Sequence, residues 1–236
     1  MDYTKMTGTV AREATRYDEG LRAYMLSVFN YMGIALGITG LVAFVVGSTP
    51  QLMNVIFGTP LQWVVMLAPL AMIFFVMPRL LNYSLQAAQM LFWLFAALMG
   101  LSISTIFIVY TQQSIASTFF ITASVFGAMS LYGYTTKKDL TSFGSFLIMG
   151  LIGIIIASIV NIFLQSSMLQ FVVSLIGVFV FVGLTAYDTQ RIKNIYYQVS
   201  GQGELASKLA IFGALSLYMD FINLFLQLLQ LFGNRR

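Results

Sequence analysis

Two of the eight acidic residues in this 236-residue chain stand apart, because they alone adjoin or interrupt long apolar runs. Asp188 follows Phe181-Val182-Gly183-Leu184-Thr185-Ala186-Tyr187 directly, and Asp220 lies between Tyr218-Met219 and Phe221-Ile222. A carboxylate at membrane depth is costly unless it is paired, protonated or hydrated, so both are candidate functional residues, and Asp220 is the stronger of the two. If they approach within about 4 Å they cannot both ionise cheaply, and the pair titrates as a unit. Such a pair senses pH: with a shared proton it ties two helices together, and ionised it repels itself or binds a cation. Oxygen-only ligands suit Ca²⁺, which makes Asp188 and Asp220 candidate calcium ligands, with Asn223 and water needed to finish the shell. The simpler alternative for Asp188 is a juxtamembrane ion pair with Arg191.

Asp220 belongs to a pattern. Gly213, Ser216, Asp220, Asn223, Gln227 and Gln230 recur at spacings of three and four, which puts them on one face of a helix whose other faces are Leu, Ile, Phe and Met. A polar seam on an apolar helix must face protein or water rather than lipid, so this helix is expected in the centre of a bundle. For Gln227 and Gln230, interhelical hydrogen bonding is an equally good account.

The elements that must position these residues follow from composition. The chain is 59% hydrophobic and 8% charged, with a mean hydropathy of +0.87, whereas a soluble domain carries roughly a quarter charged residues. This is an all-α integral membrane protein. Seven segments approach the roughly 20 apolar residues that a crossing helix needs: Ala23 to Gly47, Leu61 to Met77, Ala87 to Tyr110, Ile115 to Tyr134, Phe143 to Leu164, Leu169 to Tyr187 and Leu209 to Phe232. Residues 1–22 read as a cytoplasmic tail and 23–236 as a single transmembrane domain. The first apolar stretch is too long for a signal-peptide core and is expected to be retained. Small residues at helical spacing, Gly33 with Gly37 and Gly150 with Gly153, are expected to let backbones approach, and Pro69 to kink the second span.

The basic residues orient the bundle. With the N-terminus inside, ten of the twelve Lys and Arg fall on the cytoplasmic side, while the opposite loops around 50–60, 111–114 and 165–168 contain none. Arg235 and Arg236 fall outside if the last segment crosses, and inside if it re-enters. Basic residues scattered in ones and twos orient a protein in a bilayer and do not bind nucleic acid. The absence of Cys and His removes thiol nucleophiles, imidazole bases and the commonest zinc ligands.

The stretches Ala186-Tyr187-Asp188-Thr189-Gln190-Arg191-Ile192-Lys193, Leu217-Tyr218-Met219-Asp220-Phe221-Ile222-Asn223-Leu224-Phe225 and Gly127-Ala128-Met129-Ser130-Leu131-Tyr132-Gly133-Tyr134-Thr135-Thr136-Lys137-Lys138-Asp139-Leu140 resemble signatures of the Bax inhibitor-1 family, most closely its bacterial inner-membrane members. The likeness runs from about Leu21 to the C-terminus. It implies a central seventh helix surrounded by the other six, and a pH-sensitive calcium leak controlled by an aspartate pair, here Asp188 and Asp220. No cofactor is expected, with Ca²⁺ as a permeant or weakly bound ion. The likeness also implies an arginine near the cytoplasmic end of the second helix that exchanges partners with the pair. Arg79 is the candidate for that role, although it follows Pro78 and stands alone where relatives often carry a basic cluster. Some bacterial relatives bind and restrain a membrane-anchored AAA protease, so a non-conducting regulator with a membrane-protein partner is the alternative function.

Two aspartates on the sixth and seventh helices also describe intramembrane aspartyl proteases. This sequence has Leu217-Tyr218-Met219 where those enzymes have Gly-x-Gly, and none of its four prolines follows Asp220 to build Pro-Ala-Leu. A non-enzymatic protein is therefore expected. A rhodopsin would need a lysine in the last helix, and none follows Lys208.

Overall fold

The computed structural model describes the backbone from Tyr3 to Arg236 and the side chains from Glu19 onward. The described chain is helical: α1 (Tyr3–Gly47), α2 (Pro50–Phe57), α3 (Leu61–Ala71), α4 (Leu85–Ile103), α5 (Ile106–Val109), α6 (Gln112–Thr135), α7 (Thr141–Leu164), α8 (Ser167–Val199) and α9 (Gly203–Phe232). Seven stretches are long and apolar enough to cross a membrane, namely Glu19–Gly47 of α1, Leu61–Asn82, Leu85–Val109 and the whole of α6 to α9. Six of them contain the corresponding expected segment, and the third, Leu85–Val109, stops one residue short of the expected Tyr110. Part of the tail expected over residues 1–22 lies outside the described residues, and α1 runs on through the remainder.

Local chemistry sets several of the boundaries. Ser84, Thr111 and Ser166 are N-caps whose hydroxyls accept from the amides of Ala87, Ser114 and Leu169, starting α4, α6 and α8. The helix carrying Asp188 passes the end of its apolar run and continues to Val199, because no breaker intervenes before Gly201, whose φ of +91° suits a residue without a side chain. In the second span the α-helical pattern passes through Pro69 and gives way at Met72–Val76 to a π turn, followed by a 3₁₀ turn over Met77–Asn82 with Pro78 near its start. Proline removes a helix donor and crowds the preceding turn, and a change of hydrogen-bond register downstream is one way to absorb this.

The centre belongs to α9. In its most apolar window 67% of residues are buried, against 11% in α7, so α9 is the axis of the bundle and α7 lies at its edge. Around α9 pack α8, α1, α6 and α4, together with the 3₁₀ turn of the second span. α7 leans on α8 and joins α9 through one apolar cluster that includes Leu147, Ile154, Phe181, Leu224 and Leu228. Tyr218 of α9, fully buried, meets Phe92 and Phe95 of α4 edge-on at 5.9 and 5.8 Å. Its hydroxyl lies 2.7 Å from Thr39 Oγ1, which itself donates to the Ala96 carbonyl at 2.8 Å, so one threonine joins α1, α4 and α9.

The glycines that permit close approach are not the expected ones. Gly33, Gly37 and Gly153 face open space, and only Gly150 meets a neighbour, Val180, at 3.1 Å from an ideal Cβ position. Tighter crossings against a neighbouring backbone are at Gly133, where a Cβ would strike the Ala186 carbonyl of α8, and at Gly100 of α4, where it would lie 2.7 Å from the Thr39 carbonyl oxygen of α1. Spacing along one helix does not reveal which face meets a neighbour and which meets lipid.

The last segment, Gly203–Phe232, does not fold back but runs on as one helix through the bundle. After α9 the tail turns onto the α5–α6 connection, where the Thr111 amide donates to the Asn234 carbonyl at 3.1 Å and the Arg236 amide to the Val109 carbonyl at 3.0 Å. The chain therefore ends at the face of the bundle reached by α5, away from the face where α8 gives way to α9.

Candidate functional site

Antiparallel α8 and α9 meet rung by rung along the polar seam. Asp188 is 9% exposed and Asp220 5%, and their carboxyl groups lie within hydrogen-bonding reach of each other in the α8–α9 interface. One turn along, Arg191 faces Ser216: its guanidinium lies 3.4 Å from the Asp188 carboxylate and 3.4 Å from Ser216 Oγ. The four side chains form two facing steps, Asp188 and Arg191 at i, i+3 on one helix and Ser216 and Asp220 at i, i+4 on the other. Both sequence accounts of Asp188 therefore hold together, since it pairs with Arg191 and also meets Asp220.

The rotation of α8 that aims Asp188 inward is fixed from outside the site. The Gln190 side chain accepts from the Leu140 amide at 2.9 Å and donates to the Lys138 carbonyl at 2.8 Å, tying α8 to the α6–α7 connection. Gly133 brings α6 against Ala186, two residues before Asp188. The intervening Thr185 and Thr189 hydroxyls are satisfied by carbonyls of their own helix, Phe181 and Thr185, and so do not compete for the carboxylates.

One oxygen of Asp220 is buried and accepts no hydrogen bond. An orphaned buried acceptor typically costs about 1–3 kcal/mol, so this atom marks the place where a proton, water or cation is best accommodated. Two carboxylates make a poor resident metal site. Among the described residues no group of three or more acidic, His or Cys side chains could hold a metal ion.

The rest of the seam divides. Asn223 donates to the Met219 carbonyl of its own helix at 2.8 Å. Gln227 packs beneath Gly177 of α8 with its side-chain oxygen buried and unpaired. Gln230 accepts from Ser174 at 2.7 Å and Gln170 at 3.3 Å, the interhelical bonding expected of it. At this end the seam opens into two polar cavities of about 300 and 410 Å³ that share Asn161, Gln170 and Gln230. Asn161 and Gln170 escape a reading based on α9 alone, because they belong to the helices facing it.

Arg79 is not brought to the pair. It is exposed on the 3₁₀ turn of the second span and donates to the Phe75 carbonyl at 2.6 Å. The cation beside the aspartates is Arg191.

The whole-chain comparisons agree with this architecture. The family model described as inhibitor of apoptosis-promoting Bax1 matches residues 21–236. A protein of Rickettsia prowazekii is 52% identical over 236 residues, covering 100% of this chain and 99% of its own. The inner membrane protein YbhL of Escherichia coli is 49% identical over 219 residues, covering 92% of this chain and 94% of its own. A membrane protein of Streptococcus pyogenes is 33% identical over 221 residues, 93% of this chain and 96% of its own. With a family match that includes all seven crossing helices and the facing aspartates, this chain belongs to the Bax inhibitor-1 family of multi-pass membrane proteins.

Proposed function

We propose that the protein is a proton-controlled calcium leak in a bacterial inner membrane, its N-terminus cytoplasmic, with Asp188 and Asp220 as the gate. The observation that carries this reading is the contact of two buried carboxyl groups on adjacent central helices, one with an orphaned oxygen. Two full negative charges about 4 Å apart repel by about 4 kcal/mol at an effective dielectric of about 20. Arg191, 38% exposed and directed at Asp188 and Ser216, offsets only part of this. The pair is therefore stable in two forms. With one shared proton it bonds α8 to α9 and closes the seam. Without that proton it needs a cation, and a hydrated divalent ion arriving from the amide-lined cavities meets the matching charge.

Inner-membrane residence rests on the name of the Escherichia coli relative, and the orientation on the distribution of basic residues. The deciding experiment is calcium flux into proteoliposomes of the purified protein across a range of pH. Flux that varies with pH in the wild type, and loses that dependence in Asp188→Asn and Asp220→Asn, supports the leak. Absence of flux together with a co-purifying membrane protein, such as an anchored AAA protease, replaces it with a regulatory role. Cleavage of a membrane-embedded peptide, abolished by the same substitutions, replaces it with proteolysis.

A further inference from the structure

The helices α1 and α6 both border α9 but scarcely touch each other, and two cavities are stacked along the seam between them. The first, about 390 Å³, lies between Gly40 and Phe44 of α1 and Phe119 and Phe120 of α6, with Phe221 and Phe225 of α9 behind it. The second, about 460 Å³, lies between Arg22, Met25 and Phe29 of α1 and Phe126, Ser130 and Tyr134 of α6. Gly40 on the wall of the first cavity and Gly127 on the wall of the second have nothing within 4 Å of where a Cβ would stand, so the seam is open rather than filled.

Three features of the second cavity specify an occupant. Its mouth is basic: Arg22 lines it, and the Lys193 ammonium donates to the Tyr134 carbonyl at 2.7 Å while lying 5.4 Å from the centre of that ring. Lys137 and Lys138 follow within four residues of Tyr134, and among the described residues no acidic side chain lines the cavity. Its walls are otherwise apolar. On its inner side Ser130, 5% exposed, has a hydroxyl without a hydrogen-bond partner, whereas Thr122, Ser124 and Thr135 of the same helix each donate to a carbonyl four residues back. Ser130 lies one turn, about 6 Å along the helix, from Tyr134, the separation between a phosphate at the mouth and the ester oxygens below it.

We propose that this crevice is a binding site for an anionic phospholipid, with its phosphate at the Arg22 and Tyr134 mouth, an ester oxygen accepting from Ser130 and one acyl chain lying between α1 and α6. A basic rim above an apolar slot complements such a lipid in charge and in polarity. The site adjoins the aspartates: Phe126 packs on Phe221 at 5.4 Å, and Phe221 follows Asp220. Its occupancy does not depend on conduction.

The test is native mass spectrometry of the full-length protein in mild detergent, titrated with phosphatidylglycerol or phosphatidylethanolamine. Retention of phosphatidylglycerol about tenfold above phosphatidylethanolamine is expected, because both offer the phosphate but the ammonium of the latter is repelled by the basic mouth. Arg22→Gln, at an exposed position, should bring the two lipids near parity, and Gly127→Leu, which fills the slot, should reduce retention of both. Equal retention by the wild type, or unchanged preference in Arg22→Gln, would overturn the proposal. So would release by Gly127→Leu of a bound membrane protein rather than a lipid.

Discussion

Arg191 reaches two helices at once, with one guanidinium nitrogen 3.4 Å from Asp188 on α8 and another 3.4 Å from Ser216 on α9. Removing it leaves Asp188 facing Asp220 with no neighbouring cation. Loss of one partner from a buried ion pair costs about 3–5 kcal/mol, and the exposure of this arginine places the expected cost of Arg191→Gln nearer 1–2 kcal/mol. Thermal unfolding in detergent measures it. A double-mutant cycle with Ser216→Ala should give non-additive losses, and strict additivity would show that the two helices are not coupled through this side chain.

Calcium flux should rise with pH in the wild type, because withdrawing the shared proton breaks the α8–α9 link and leaves charge for a cation. In Asp220→Asn a neutral amide of the same size can bond to Asp188 at any pH, so flux should be low and flat. Flux in that variant that still follows pH would remove the pair from the gate.

Thr39→Val should destabilise the bundle more than Tyr218→Phe. Because Thr39 donates to Ala96, the short contact between the hydroxyls makes Tyr218 the donor to Thr39. Losing the tyrosine hydroxyl forfeits one bond, about 0.5–1.5 kcal/mol, whereas losing the threonine strands both a buried hydroxyl and a carbonyl, adding about 1–3 kcal/mol. Equal melting temperatures would contradict this donor order.

Gly133→Val and Gly37→Val should differ sharply although both alter a glycine in a membrane helix. The first drives a side chain into the Ala186 backbone and should cost about 1–3 kcal/mol or more, while the second enters open space. Comparable losses would place the α6–α8 contact elsewhere.

In the α6–α7 connection Asp139 accepts from both the amide and the hydroxyl of Thr141, at 2.9 and 2.6 Å, and these bonds hold its carboxyl below the usual 3.8. The sign follows from a depressed folded value: the contribution to stability is complete above 3.8 and disappears as pH falls through the lower folded value. Thr141→Val should return the titration to the ordinary carboxylate range, as read by NMR of the labelled side chain.

Much of this was legible in the residues. Asp188 and Asp220 were conspicuous because charge is rare in apolar runs, and the three-four spacing of Ser216, Asp220, Asn223, Gln227 and Gln230 marked the face of α9 that meets α8. Arg191 was half legible: its spacing gave the contact to Asp188, but its reach to Ser216 depends on how two helices are rotated. Arg79 illustrates the converse, because the irregular turns beginning at Met72 give it a carbonyl to bind on its own segment. The Thr39–Tyr218 bond joins residues 179 positions apart, and neither carries a local signal of the other.

Because the most enclosed helix is made after the other six crossing segments, assembly has an imposed order. The first six crossing segments leave the ribosome before α9, and until it arrives the surfaces of α1, α4, α6 and α8 that meet it have no partner. A chain ending at Val199 would offer Asp188 to lipid without its counterpart. Such a truncation should be cleared by cellular quality control far faster than the full-length protein, as pulse-chase labelling would reveal. Biogenesis then turns on the docking of one polar-faced helix into a waiting ring.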